Sequence, residues 1–204
     1  MITIVDYGIG NINAFLNIFN ELGIQCKLAS SSEQLNNVSK LILPGVGHFD
    51  FAMQKLNNSG MVEKLNTLVL VEKIPVLGIC VGMQMMANES DEGNLKGLGW
   101  IDAKVKKITF STNEVNTILP HMGWNTITVL NNNKIVQDFN KTEDFYFLHS
   151  YYMHCTNREN VIAHSFYGIE FACLVQNENI YGIQCHPEKS HQIGIKLLNN
   201  FANL

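Results

Sequence analysis

Two short motifs of this 204-residue chain hold residue types that could carry out acyl transfer. The first runs from Gly78 to Gly82 (GICVG), and the second contains His186, Pro187 and Glu188. A thiol attacks a carbonyl carbon once a base has taken its proton, and a neutral imidazole can later return that proton to the leaving amine. A carboxylate holds the imidazole in one tautomer and stabilises its charged form. The two motifs therefore predict a catalytic triad of Cys80, His186 and Glu188.

The cysteine motif lies where a strand gives way to a helix. The apolar run Pro75–Ile79 is typical of a central strand covered on both faces, and Met83–Ala87 looks helical. A strand-to-helix turn with glycines at its crowded positions is a nucleophile elbow, which presents its nucleophile at the carboxyl edge of the sheet. Even with the flanking glycines at this junction, Cys80 could equally be a small buried hydrophobe. The presence of a His-Pro-Glu motif in the same short chain favours the nucleophile.

The elements that must position these motifs alternate between strand and helix over roughly the first ninety residues. Predicted strands are Ile2–Val5, Cys26–Ala29, Leu41–Leu43 and Pro75–Ile79, and predicted helices are Ile12–Leu22, Glu33–Asn37, Phe49–Leu56 and Val62–Leu70. The helices show apolar residues three to four apart, and the strands are short apolar runs. This alternation predicts an α/β fold with a mostly parallel central sheet and right-handed crossovers.

After Trp100 the pattern changes to short strands separated by turn residues. The predicted strands are Ala103–Phe110, Thr126–Leu130, Phe145–His149, Val161–Ser165, Ala172–Gln176 and Ile180–Cys185, followed by a closing amphipathic helix at Ile193–Phe201. We therefore expect an antiparallel extension of the sheet in the C-terminal half. No stretch is rich enough in Pro or Ser to be a linker, so we expect one domain over residues 1–204.

Charge and hydropathy narrow the possible partners and compartments. A formal net charge of −4 supplies no basic field for a phosphate backbone, so nucleic acid is not an expected partner. The longest apolar runs, near Leu68–Val71 and Ile74–Ile79, are far too short to span a bilayer, and no export signal precedes them. The five cysteines form no CxxC pair, which favours reduced thiols and a cytoplasmic location.

No cofactor is expected from the motifs. The histidines lack metal-ligand spacing and have no acidic cluster beside them, so we predict no metal site. The glycines at Gly8 and Gly10 lack the third glycine of a dinucleotide fingerprint, and no flavin motif is present.

The motifs together resemble the class I glutamine amidotransferase family over nearly the whole chain. The segments that carry the resemblance are DYGIGN at 6–11, LPGVG at 43–47, GICVGMQ at 78–84, PHMGWN at 120–125, HSY at 149–151 and HPEKS at 186–190. The HMGWN and HPEKS segments narrow it to the glutaminase subunits of imidazole glycerol phosphate synthases. The resemblance implies a flavodoxin-like three-layer sandwich and hydrolysis of L-glutamine to L-glutamate and ammonia.

The resemblance also implies roles for particular residues. Cys80 would form a γ-glutamyl thioester, with His186 as base and then acid and Glu188 orienting it. The oxyanion strand would be Gly45, Val46 and Gly47, which in the family needs a peptide reorientation before its amides point at the oxyanion. The residues implied to hold the amino-acid end of the substrate are Gln84, Glu92, His149, Ser150 and Tyr151.

A partner is implied as well. Asn11, Trp124 and Lys189 match family positions that face a (β/α)8-barrel cyclase, which would form a heterodimer with this chain and receive its ammonia for histidine biosynthesis. Ammonia is protonated in water near neutral pH, so a docked, water-excluding interface makes physical sense. Ordinary core packing is the alternative role for Trp124, and a solvated surface charge is the alternative for Lys189.

Three other interpretations stay open at this point. The segments GHFD at 47–50, GLGWID at 97–102, HSYY at 149–152 and KSH at 189–191 resemble a paralogous branch that supplies ammonia to a sugar amidotransferase of surface-polysaccharide synthesis. A non-catalytic regulatory subunit is a second interpretation, against which the intact triad residues count. A stand-alone cysteine hydrolase is a third, but such an enzyme would not need the partner-facing HMGWN segment.

Overall fold

The computed structural model describes residues 1–110 and 118–204, and in its first half strands and helices alternate as predicted. The strands are β1 (Ile2–Val5), β2 (Cys26–Ala29), β3 (Lys40–Gly45) and β4 (Val76–Cys80). The helices are α1 (Ile12–Glu21), α2 (Phe49–Asn58), α3 (Val62–Asn66) and α4 (Val81–Met85), with a 3-10 turn at Glu33–Leu35 and a π-helical turn at Thr67–Val71.

Strands dominate the second half. They are β5 (Glu89–Ser90), β6 (Ala103–Lys107), β7 (His121–Val129), β8 (Thr142–His149), β9 (Tyr151–Cys155), β10 (Val161–Phe166), β11 (Glu170–Asn177) and β12 (Ile180–Ile183). Short 3-10 turns cover Lys134–Val136, Arg158–Asn160 and Pro187–Lys189, and α5 (His191–Ala202) ends the chain. No helix of the described ranges is both long and apolar enough to cross a membrane.

Across the described residues the main sheet has nine strands in the order β2-β1-β3-β4-β12-β11-β10-β7-β8. The strands from β2 to β12 in that order pair in parallel, and those from β12 to β8 pair antiparallel. A small sheet, β5-β6-β9, packs beside them. The predicted α/β fold, with a parallel core and an antiparallel C-terminal extension, is confirmed. β12 joins the two parts because it is parallel to β4 and antiparallel to β11.

The central strands are buried as their apolar runs predicted. Every residue of β1 and of β4 is buried, which requires covering layers on both faces of the sheet. Helix α1 supplies part of one layer by burying Phe15 and Phe19, four residues apart on one face. This two-sided packing holds the carboxyl ends of β3 and β4 at a fixed edge, where the cysteine motif begins.

Several boundaries differ from the sequence prediction. Strand β9 is absent from the predicted set, because its pairing with β6, and not the pattern of its own residues, makes it a strand. Strand β7 begins at His121 instead of Thr126, since pairing with β8 continues through Gly123 despite its poor strand propensity. The predicted strand Ala103–Phe110 ends at Lys107, and the predicted helix Val62–Leu70 changes to π geometry at Thr67.

Candidate active site

The cysteine motif forms the strand-to-helix turn that its glycines predicted. Cys80 is the last residue of β4 and has φ 55° and ψ −115°, a backbone conformation that L-residues rarely adopt. A Cβ on Gly82 would lie 1.9 Å from the carbonyl oxygen of Leu43, and one on Gly78 would lie 2.6 Å from the methyl carbon of Met86. Because both positions exclude a side chain, tight packing against β3 and α4 holds Cys80 at the sheet edge.

His186 and Glu188 form a buried pair just beyond β12. The Nδ1 atom of His186 lies 2.9 Å from Oε1 of Glu188, and the two side chains are 4% and 2% exposed. The other carboxylate oxygen, Oε2 of Glu188, is buried and has no hydrogen-bond partner among the described residues. The carboxylate therefore orients the imidazole so that Nε2 is the nitrogen left for proton transfer.

Charge around His186 favours its protonated form. Burial lowers the pKa of this imidazole, but its interactions with Cys80 and with the carboxylate of Glu188, whose Oε1 accepts from Nδ1, outweigh burial and raise the pKa to about 10. Cys80 and His186 line the same cavity. A cysteine at a cavity lined also by an imidazole that a carboxylate orients is an arrangement suited to nucleophilic attack on an amide.

Backbone and hydroxyl groups hold the His-Pro-Glu turn in place. The buried Ser190 hydroxyl donates to the carbonyl oxygen of His186 at 2.6 Å and accepts from the backbone N–H of Tyr146 at 3.0 Å. The backbone N–H of His186 donates to the Tyr146 carbonyl oxygen at 2.9 Å. The base is thus fastened to β8, in the antiparallel part of the sheet, and not to the strand that carries the nucleophile.

A cavity of about 630 Å³ opens over the triad. It is lined by Gly10, Asn11, Val46, Gly47, Cys80, Val81, Gln84, Glu92, Pro120, Leu148, His149, Ser150, Tyr151, His186, Glu188 and Lys189. Every residue singled out from the sequence as a site residue lies on this wall except Gly45 and Trp124. The volume is in the range of small-molecule sites.

The Gly45–Gly47 segment follows the edge of the sheet beside the nucleophile. Gly45 pairs with Cys80 in the β3–β4 register, Val46 is 40% exposed, and Gly47 has φ 88°. The buried Tyr7 hydroxyl donates to the carbonyl oxygen of Pro44 and so fixes the base of the segment. The chain therefore leaves the sheet at Val46 and enters the cavity wall, next to the position where a substrate carbonyl would meet Sγ.

Gln84 and Glu92 also line the cavity and are already hydrogen-bonded within the protein. The buried Gln84 amide donates to the Tyr151 carbonyl oxygen and to Oε1 of Gln184, both at 3.0 Å. Oε2 of Glu92 accepts from the backbone N–H of Phe49 at 2.8 Å. Both side chains are therefore held in one orientation before any ligand arrives.

A chain of hydrogen bonds through two imidazoles supports the 149–151 segment. Nδ1 of His149 donates to the Tyr151 carbonyl oxygen at 2.9 Å, so its Nε2 must accept, here from Nδ1 of His121 at 2.9 Å. Nε2 of His121 then accepts from the Asn125 amide at 3.1 Å. Burial lowers the pKa of His121 to about 4 and that of His149 to about 3, so both rings are neutral near pH 7.

Sequence reasoning missed some of the supporting residues. The fully buried Gln184 places Nε2 3.9 Å from Sγ of Cys80, and the Leu148 carbonyl oxygen lies 4.0 Å from the same sulfur. His121 stands out in the sequence only as part of the HMGWN segment. A signal existed for Gln184, because a polar residue inside the apolar run before His186 has to satisfy its amide in the core.

Beside the cavity mouth, β7 and β8 present apolar side chains to solvent. Met122 is 64% exposed, Trp124 50% and Leu148 37%, and the β7–β8 register pairs Met122 with Leu148 and Trp124 with Tyr146. Because half of Trp124 is exposed, the core-packing alternative for this residue is wrong, and its ring stacks on the His191 ring at 5.2 Å. Nζ of Lys189 lies 5.6 Å from the centre of the Tyr146 ring. We call Met122, Trp124, Tyr146 and Leu148 the β7–β8 face.

Several known proteins are similar to this chain in sequence, and solved structures are similar to it in fold. The family described as glutamine amidotransferase class-I matches residues 3–203. Proteins named imidazole glycerol phosphate synthase subunit HisH from Leptospira interrogans and from Bdellovibrio bacteriovorus are each 48% identical to the chain over 204 residues, with full coverage of both partners. A protein from Pseudomonas aeruginosa named as subunit HisH 2 is 41% identical over the same length.

Solved structures agree on the fold. A structure described as glutamine amidotransferase superposes with a TM-score of 0.75 at 17% identity, covering 100% of this chain and 99% of the other. A glutamine amidotransferase from Thermotoga maritima superposes with a TM-score of 0.64 at 17% identity, covering 99% of this chain and 82% of the other. Full-length identity and the shared architecture lead to one conclusion: the chain belongs to the class I glutamine amidotransferase family.

Proposed function

We propose that the chain, as a single glutamine amidotransferase domain over residues 1–204, hydrolyses L-glutamine to L-glutamate and ammonia. The observation that carries this proposal is the buried His186–Glu188 pair, which lines the same cavity as a strained Cys80. Sγ of Cys80 attacks the carboxamide carbon, and His186 gives its proton to the leaving ammonia to yield a γ-glutamyl thioester. Water then attacks the thioester with His186 as base, releasing glutamate and restoring the thiol.

The Gly45–Gly47 segment is proposed as the oxyanion strand. Its position opposite Cys80 in the β3–β4 register supports this role, because the tetrahedral oxyanion forms beside the attacking sulfur. One backbone donor at such a site stabilises the transition state by about 3 kcal/mol, so a small misplacement of the amides makes the free chain slow. We propose that reorientation of a peptide in this segment accompanies activation.

The amino-acid end of glutamine is proposed to bind Gln84, Glu92 and the 149–151 segment. Glu92 uses Oε2 for the Phe49 N–H, which leaves Oε1 for the substrate ammonium group. The hydrogen bonds of Gln84 and His149 to the Tyr151 carbonyl oxygen hold the backbone of that wall. The reacting carboxamide then extends toward Cys80 from a fixed anchor.

We further propose a synthase partner that receives the ammonia. The exposed β7–β8 face beside the cavity mouth supports a docking surface, since a contiguous apolar patch is typical of an interface. Asn11 and Lys189, which line the cavity, and Trp124 would face that partner. The names of the full-length relatives favour a partner subunit of an imidazole glycerol phosphate synthase. The resemblance of the sequence motifs implies that this partner is a (β/α)8-barrel cyclase, in a heterodimer that serves histidine biosynthesis. Five free cysteines support a cytoplasmic location.

Glutamate release from glutamine tests this proposal. The purified chain and Cys80→Ala are each assayed alone and with the cyclase barrel of the same organism carrying its nucleotide ligand. We expect slow release by the chain alone, strong activation by the loaded barrel, and no release by Cys80→Ala in either condition.

Each other outcome points to one alternative. If the barrel does not activate the chain but a sugar amidotransferase complex does, the result would support the alternative in which the ammonia is used in surface-polysaccharide synthesis. Equal speed with and without a partner would support a stand-alone hydrolase. No release under any condition would support a regulatory role without catalysis.

A further inference from the structure

We infer that Asp50 is a positioning residue for the amino-acid end of the substrate, because its carboxylate clamps the loop that presents Glu92. This inference rests on the proposed function, which places the substrate ammonium group at Glu92. Asp50 belongs to the GHFD segment at 47–50, and it does not line the cavity itself. Its effect would therefore pass through the loop and not through contact with the substrate.

The clamp is a pair of hydrogen bonds to consecutive backbone amides. Oδ2 of Asp50 accepts from the N–H of Asn94 at 2.9 Å, and Oδ1 accepts from the N–H of Leu95 at 3.0 Å. An ionised carboxylate bound by two amides is held more strongly than a neutral acceptor would be. The residues after Glu92 are thus fastened to the first turn of α2.

A reciprocal bond ties α2 to Glu92 itself. The backbone N–H of Phe49, the first residue of α2, donates to Oε2 of Glu92 at 2.8 Å. The helix start therefore gives one hydrogen bond to the loop and receives two from it. Such an exchange fixes both the backbone of the loop and the direction of the Glu92 carboxylate, so that its second oxygen has one position available for an ammonium group.

Close packing makes the clamp sensitive to the residue between the two anchors. A Cβ added to Gly93 would lie 1.9 Å from Oδ1 of Asp50, well inside van der Waals contact. The loop can approach the carboxylate only because position 93 lacks a side chain. Since α2 begins two residues after Gly47, the same clamp also connects the Glu92 loop to the proposed oxyanion strand.

The experiment compares two reagents that alkylate Cys80. 6-Diazo-5-oxo-L-norleucine carries the amino and carboxylate groups of glutamine, whereas iodoacetamide has neither. The parent chain, Asp50→Asn and Gly93→Ala, each with the cyclase barrel carrying its nucleotide ligand, are titrated with each reagent, and modification of Cys80 is followed by mass spectrometry. Asp50→Asn turns one acceptor into an N–H donor that faces a backbone donor, and Gly93→Ala forces the loop away from the carboxylate. Asp138→Asn is the matched control, since Asp138 is exposed and outside the cavity.

We expect both variants to raise the half-saturating concentration of the glutamine analogue about tenfold, the size expected for losing a charge-assisted hydrogen bond. The limiting rate with the analogue, the rate with iodoacetamide and all values of the control should stay within about twofold of the parent. A raised half-saturating concentration with unchanged rates would show that the variants impair positioning of the amino-acid end of the substrate and not the fold of the site in general.

Two results would overturn the inference alone. One is an unchanged half-saturating concentration in both variants when the parent is labelled normally. The other is equal slowing with both reagents, which would mean that the clamp only supports the fold. If the analogue fails to label Cys80 of the parent while iodoacetamide labels it, the proposed function itself fails and the inference falls with it.

Discussion

The parallel and antiparallel parts of the sheet hold their catalytic groups by different means. In the parallel part, close packing fixes the backbone at Cys80: β3 and α4 approach so closely that Gly78 and Gly82 allow no Cβ. In the antiparallel part, hydrogen bonds fix His186: Glu188 binds its ring, and Ser190 and Tyr146 bind its backbone. The first arrangement is steric and the second is polar.

The difference teaches where each part of the site should be vulnerable. A steric arrangement is insensitive to pH and fails when a methyl group is added. A catalytic group held by hydrogen bonds tolerates a larger side chain at the edge of the site, but it depends on the charge of each hydrogen-bonding group. The same contrast applies to the surface, because the described central parallel strands are covered on both faces while β7 and β8 expose apolar side chains beside the cavity.

The largest expected effect compares the two catalytic groups directly. Cys80→Ala should lower glutaminase activity about 10⁶-fold, since no other group can form the thioester. Glu188→Gln should lower it about 10⁴-fold, because the imidazole loses its orienting charge but the nucleophile remains. Steady-state glutamate release with the activating partner measures both. Equal losses of activity would mean that the Glu188 carboxylate is as indispensable for catalysis as the Cys80 sulfur. The contrast between the sterically held and the hydrogen-bonded group would then not extend to catalysis.

Added volume at the elbow should affect stability next. Gly82→Ala places a methyl group 1.9 Å from the Leu43 carbonyl oxygen and should lower the free energy of unfolding by about 3 kcal/mol or more. Gly60→Ala is the control, because Gly60 has positive φ but nothing lies within 4 Å of the added carbon. That variant should lose only about 1 kcal/mol. Chemical denaturation of both variants would show whether steric exclusion or backbone conformation dominates.

The exposed β7–β8 face should matter for the partner and not for the fold. Trp124→Ala should weaken binding of the partner about 30-fold, the loss typical of a buried aromatic anchor at an interface. The melting temperature of the Trp124→Ala variant should stay close to that of the parent, since the Trp124 side chain is already half exposed. Isothermal titration with the barrel measures the affinity. A large drop in melting temperature with unchanged affinity would mean that Trp124 stabilises the fold and does not contribute to partner binding.

The smallest expected effect is the pH dependence of stability in the polar half. The pKa of His186 is raised to about 10 in the folded chain, above its value in the unfolded chain, so the folded state holds this proton more tightly. Its stabilising contribution is complete below about pH 6.5 and is lost as pH rises through about 10.

Comparing the parent with Glu188→Gln isolates this contribution. Between pH 6.5 and 10, the parent should lose about 1.5 kcal/mol more of its unfolding free energy than the variant, which lacks the charged acceptor. Denaturation curves at several pH values measure the two slopes. Parallel slopes would show that Glu188 does not stabilise the imidazolium form.

Much of the parallel half could be predicted from local sequence. Strands β1 and β2 have the predicted bounds, because turn residues bound each short run. Burial differs between them: β1 is buried throughout, whereas β2 is an edge strand in which only Ala29 is buried. The elbow was predictable for a similar reason, since the glycines around Cys80 report a steric demand that is local to the turn. Strand β9 and the start of β7 were missed because their pairing partners, and not their own residues, make them strands.

By itself, then, the sequence determined the type of chemistry and the architecture that carries it. The residue types of the Cys80 and His-Pro-Glu motifs, together with the spacing of apolar residues around them, contain that information locally. Only the tertiary structure decided how His121 supports His149, how Gln184 meets the nucleophile, and how Asp50 clamps the Glu92 loop. These contacts join residues 28 to 104 positions apart in the chain, or tie a helix start to a loop more than forty residues away. The local spacing of apolar residues carries no information about such long-range contacts, because the contacts depend on which strands pair and on which face each side chain then lies.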